Sequence, residues 1–220
     1  MPRQVEDYIR VLFDHDEAKG EWYDKEEEDA YRKEPLLELF DDDSLVVEVL
    51  DIAFNNFEDH LSKYSPWQIA TGMDFVFHGG TSDLCFSLQN PDVPIDRRVS
   101  VVSGLKTIFT EVFEKHCVEA LTDPDRYSSE LNDICFMFWE VTPIMHWGVK
   151  EVNLECIALM SHRLDSPNTV VNKSALHGLG HSVCDYPEAR ELIEKYIQGR
   201  IHNFPGLLDY AHDALRGRIL

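Results

Sequence analysis

The chain has 220 residues, 44% of them hydrophobic and 11% aromatic, which excludes a disordered polymer and allows a sizeable core. A formal net charge of −21 repels nucleic acid and anionic lipid and attracts basic proteins. No run approaches the roughly 20 apolar residues of a membrane span, and the opening MPRQVEDYIR lacks the basic-then-apolar layout of a signal peptide, so a cytoplasmic protein is expected.

Val5, Tyr8, Ile9, Leu12 and Phe13 recur at helical spacing and predict a short opening helix. The acidic stretch Glu21 to Glu34 follows, with Trp22, Tyr23 and Tyr31 as its large apolar groups; it reads as a solvated helix or a loop. Pro35 then starts a brief apolar turn, Leu36, Leu37, Leu39 and Phe40, halted by Asp41, Asp42 and Asp43. Ser44 is placed to cap a helix carrying Val46, Val47, Leu50, Ala53, Phe54, Phe57 and Leu61. Ser65 and Pro66 supply an N-cap and a first-turn proline for the next helix, through Phe77, which Gly79 and Gly80 end.

A short helix around Leu84 to Leu88 precedes a long one running from Val99 to Cys117. Further helical patterns cover about 128–141, 151–164, 168–184 and 187–199, and a last one carries Leu207, Leu208, Ala211 and Leu215. No run alternates with period two and no Asn-Gly or Asp-Gly turn occurs, so the expected fold class is all-α. We expect a single domain over 1–220, with 1–43 as an acidic N-terminal cap region and 44–220 as stacked helices. The five cysteines, Cys85, Cys117, Cys135, Cys156 and Cys184, are widely spaced in apolar runs without a CxxC pair and are expected to be buried thiols.

Within SALHGLGHSVCDYPEARELIEKYIQGRIHNFPGLLDYAHDALRGRIL, Ala175, Leu176, Leu179 and Gly180 form a first helix. Asp185 and Pro187 make a turn, and Leu192, Ile193, Tyr196 and Ile197 a second helix, with Leu207 to Leu215 beginning another unit. This pattern resembles HEAT-like repeats of the phycobilin-lyase-type family over about residues 150–218. The resemblance implies a right-handed α-α superhelix of HEAT-like helix pairs, a scaffold that offers an extended face to a partner. Gly178 and Gly180 lie inside a helix, where each costs about 1 kcal/mol relative to alanine; close helix-on-helix approach is the reason to keep them.

Two kinds of functional residue stand out. His177, His181 and Cys184 fall at i, i+4 and i+7 on one helix face, which is metal-ligand spacing, although HExxH is not completed because Gly178 follows His177. Histidines satisfied within the packing helix are the structural alternative, and no cofactor is expected. The run Phe136, Phe138, Trp139, Met145 and Trp147 reads as core, with Glu140 inside it as the carboxylate to inspect for burial. Ser174 and Ser182 lie within helical reach of the histidines, but no GxSxG, SxxK or phosphate loop is written, so no catalysis is expected.

The acidic residues are the second kind. Residues 1–60 hold 20 acidic and 6 basic side chains, against 21 and 14 in the remainder. The clusters Glu26, Glu27, Glu28 and Asp29, and Asp41, Asp42 and Asp43, are the candidate partner-binding surface; a solvated helix entry accounts for the aspartates without a partner. The sequence thus predicts a monomer or weak dimer that binds a basic protein, not nucleic acid or membrane. It would be an adaptor or inhibitor, in one version an immunity protein neutralising a toxin. The competing readings are a metal- or small-ligand-dependent enzyme built on the His177, His181 and Cys184 helix, and a structural assembly subunit.

Overall fold

The computed structural model describes residues 4–17, 30–118, 129–145, 149–199 and 205–219, and every regular element among them is helical. None of these helices is long and apolar enough to cross a membrane. The chain falls into two compact units, one of residues 1–108 with 141–153, the other of residues 109–140 with 154–220.

The first unit opens with α1 (Val5–Phe13), whose Tyr8, Ile9, Val11, Leu12 and Phe13 are all buried. Asp7 accepts the orphan N–H of Gln4 at 3.2 Å, completing the helix start. Helix α2 (Ala30–Asp41) differs from the expected turn, because Pro35 lies inside it and not at its start. Burial of Leu36 and Leu39 against the unit's core offsets the backbone bond that proline forgoes.

Helix α3 (Asp43–Asn55) is capped by Asp42, not by Ser44: the Asp42 carboxylate accepts from the N–H groups of Ser44 at 2.9 Å and Leu45 at 3.1 Å. The apolar run expected to reach Leu61 breaks at Asn56, whose backbone leaves helical geometry, and a one-turn helix α4 (Phe57–His60) follows.

At α5 (Pro66–Phe77), Ser65 Oγ accepts the Gln68 N–H at 3.1 Å while Gln68 Oε1 accepts the Ser65 N–H at 2.9 Å, a reciprocal box with proline at the first helical position. Replacing Ser65 with Ala is expected to lower stability by about 1 kcal/mol in urea unfolding; an unchanged midpoint would contradict the capping role.

Gly72 lies where α5 meets α1, since a Cβ there would stand 2.5 Å from the Leu12 carbonyl oxygen. After a 3-10 turn at Leu84–Gln89, α6 (Ile95–Ile108) packs on α3, and a Cβ on Gly104 would come within 2.7 Å of Phe54 Cβ. A second 3-10 turn, Pro143–Met145, also belongs to this unit.

The second unit begins with a π-helical stretch, Phe109–Glu114. Arg163 Nη1 donates to Thr110 Oγ1 at 2.9 Å and lies 3.6 Å from the Glu114 carboxylate, which also accepts from Ser166 Oγ at 2.6 Å. Helices α7 (Glu130–Val141), α8 (Lys150–Arg163), α9 (Thr169–Ser182), α10 (Pro187–Gly199) and α11 (Pro205–Leu215) complete the chain, with Val141 and the first four residues of α8 belonging to the first unit. Helix α9 is the centre of this unit: nearly all of its residues from Val170 to Gly180 are buried, and it packs on both α10 and α11. Its glycines sit at the approaches expected of them. A Cβ on Gly178 would lie 2.6 Å from Trp139 Cγ, and one on Gly180 would lie 3.1 Å from Ala214 Cα.

Candidate functional site

The structure divides the acidic candidates. Glu26, Glu27, Glu28 and Asp29 lie outside the described residues. Asp42, though exposed, is committed to capping α3, and the half-buried Asp43 Oδ2 accepts from Asn90 Nδ2 at 2.6 Å, while Asp41 is exposed at the end of α2. The same helix exposes Leu37 (53%) and Phe40 (46%), two large apolar side chains three residues apart. Glu34 and Asp41 are exposed on that face, as is Glu38, which accepts from the Tyr8 hydroxyl. Sequence periodicity did not single out this face, because Leu36, Leu37, Leu39 and Phe40 read as one apolar run until the packing separates them.

In the second unit, His177 and His181, one turn apart on α9, converge with Glu140 from α7. Their ligand atoms all lie within 4.8 Å of one another. His177 Nε2 is 3.1 Å from Glu140 Oε2 and 3.1 Å from His181 Nε2, while its Nδ1 is 2.5 Å from the Tyr210 hydroxyl on α11. His177 is fully buried, its ring 4.6 Å from that of Phe136; His181 and Glu140 are exposed, so the cluster is closed on one side and reaches solvent on the other. Lys173, a turn before His177, holds its ammonium 5.3 Å from the Phe136 ring and 5.2 Å from the Tyr210 ring.

Burial, and then the neighbouring His181 imidazole, push the His177 pKa down to about 4, against the pull of the Glu140 carboxylate. The buried ring is therefore neutral at pH 7. An unfolded chain takes up this proton near 6.5 and the folded one only near 4, so the stability held above pH 6.5 drains as the pH falls through that window. The loss is on the order of 3 kcal/mol at its acid end. In urea unfolding from pH 7 to 4, the fall is expected to be steeper in wild type than in His177→Asn; equal slopes would contradict the assignment.

Cys184 does not join the cluster, contrary to the sequence-based trio. Helix α9 ends at Ser182, and Cys184 lies exposed in the turn beyond, unlike Cys85, Cys117, Cys135 and Cys156, which are buried. Burial raises the Cys85 thiol to about 12 and pushes Cys135 and Cys156 well up, so these thiols are inert. Ser174 Oγ donates to the Cys135 carbonyl at 2.6 Å and Ser182 Oγ to the Gly178 carbonyl at 2.9 Å, both buried, which removes them as nucleophiles for the histidines. Of the aromatic run, Trp139 stacks on Phe109 at 5.8 Å and meets Phe138 edge-on at 5.0 Å, as core; Met145 belongs to the first unit, and His146 and Trp147 lie outside the described residues.

No family model, curated protein or solved structure matches this chain.

Proposed function

We propose that this protein is a non-catalytic binding protein whose acidic surface holds a basic protein partner, as an adaptor or an inhibitor. The observation that carries the reading is the exposed pair Leu37 and Phe40 on α2, set among Glu34, Glu38 and Asp41. Exposed apolar side chains of this size supply anchors for an interface, and a carboxylate rim selects basic partners and speeds their encounter. The fit is to a partner segment that presents an apolar patch ringed by lysine or arginine.

The scaffold in this reading is a superhelix of HEAT-like helix pairs, supported by the contact-distance packing at Gly178 and Gly180. Four buried free thiols accord with a reducing cytoplasmic setting. A basic toxin enzyme neutralised by the chain is one form the partnership takes.

The test compares partner capture by wild type with three variants: Leu37→Ser with Phe40→Ser, Glu34→Lys with Asp41→Lys, and Glu26→Lys with Glu27→Lys and Glu28→Lys. These leave the Asp42 cap and the Asp43–Asn90 bond intact. Capture of a basic protein is expected to drop in the first two while helicity by circular dichroism is unchanged. Undiminished capture in all three would discard the acidic-surface mechanism.

A further inference from the structure

The cluster on α7 and α9 turns two imidazole nitrogens and a carboxylate oxygen toward one point. A neutral imidazole carries one N–H. If His177 carries it on Nε2, that proton faces both the Glu140 carboxylate and the His181 nitrogen, each at 3.1 Å. If it sits on Nδ1 and donates to Tyr210, then His177 Nε2 turns its lone pair toward the Glu140 carboxylate and toward His181 Nε2, which can donate to it. A cation fits at the point where these ligand atoms converge, all within 4.8 Å of one another. All three would give it lone pairs, and the His177 Nδ1–H would donate to the Tyr210 oxygen, which is the outer hydrogen bond that orients metal-bound histidines.

The spacing also fits. An ion that holds nitrogen at about 2.0–2.1 Å and oxygen at about 2.0–2.2 Å in tetrahedral geometry sets its ligand atoms roughly 3.3 Å apart. Two of the separations are 3.1 Å, and the exposed Glu140 and His181 side chains can adjust the third from within the 4.8 Å limit of the group. Lys173 opposes a dication, but its ammonium is held over the Phe136 and Tyr210 rings, and the Glu140 carboxylate and the protein's −21 charge act in the other direction.

We propose that Glu140, His177 and His181 bind a divalent transition-metal ion of the zinc class. Two imidazoles and one carboxylate select such borderline ions over calcium and magnesium, which take all-oxygen sets. Three protein ligands leave a fourth position, on the side where Glu140 and His181 reach solvent, for water or an exogenous ligand. The inference is independent of the partner surface on α2 and stands or falls without it.

The test is zinc titration of tag-free, chelator-stripped full-length protein, with a chromophoric competitor to read affinity and elemental analysis to read stoichiometry. One zinc per chain is expected, with calcium and magnesium failing to compete. Glu140→Gln and His181→Gln alter exposed side chains, so they test the site even where His177→Gln fails to fold; each is expected to lose affinity by on the order of 100-fold, and Tyr210→Phe by about tenfold. Cys184→Ala is expected to bind as wild type does. Absence of stoichiometric zinc, or wild-type affinity in both the Glu140 and His181 variants, would overturn the proposal.

Discussion

Gly178→Ala is expected to destabilise the second unit by about 2 kcal/mol, although alanine is the better helix former by about 1 kcal/mol. The added Cβ would stand 2.4 Å from Met160 Sδ, 2.6 Å from Trp139 Cγ and 2.8 Å from Trp139 Cβ. A methionine sulfur can swing aside, but Trp139 is held between Phe109 and Phe138, so the helix backbone must move. Gly180→Ala is the milder companion, because the nearest atom there is the far end of the Ile219 side chain at 2.8 Å. Urea unfolding of both variants checks this. A Gly178→Ala protein as stable as wild type would mean that α9 does not depend on that close approach.

The second large effect is expected at Asn168, which does three things at once while 6% exposed. Its Oδ1 caps α9 by accepting the Val170 N–H at 3.0 Å, and its Nδ2 donates to the carbonyls of Glu114 at 3.2 Å and Cys117 at 2.9 Å, tying the π-helical stretch to the start of α9. Asn168→Ala removes the cap and strands two acceptors, a loss of about 2–4 kcal/mol. Asn168→Asp separates the two contributions: it keeps the cap and turns a charged oxygen toward the carbonyls. The aspartate variant is therefore expected to be no more stable than the alanine one. Wild-type stability in Asn168→Asp would show that capping alone matters.

Local chemistry explains which features were legible beforehand. The Ser65–Pro66 start of α5 and the Pro187 start of α10 depend on neighbours a few residues away, and the sequence pattern located them; the glycines of α9 pack on distant residues but stood out because glycine inside a helix is costly. Asp42 displaced Ser44 as a cap because both are good caps two residues apart, and only backbone geometry chooses between them. The π-helical stretch at Phe109–Glu114 kept its apolar residues near helical spacing and so left no mark in the periodicity. Glu140 and His177 are 37 residues apart on different helices, so their meeting at 3.1 Å is a tertiary event without a local signal. The i, i+4 spacing of His177 and His181 gave half of that site. Cys184 falls outside it because the helical spacing in the sequence runs two residues past the end of α9.

The central claim is that an acidic surface with apolar anchors on α2 holds a basic protein. The most direct measurement is capture from native lysate by the wild-type chain at low and at raised salt, with the retained proteins identified by mass. Exposed charge contacts are screened over about 10 Å at 0.1 M ionic strength. The account predicts one basic protein, retained at low salt, weakened at raised salt, and lost from the Leu37→Ser, Phe40→Ser chain at both. A retained protein that is acidic, or whose capture ignores both salt and the loss of Leu37 and Phe40, would contradict it.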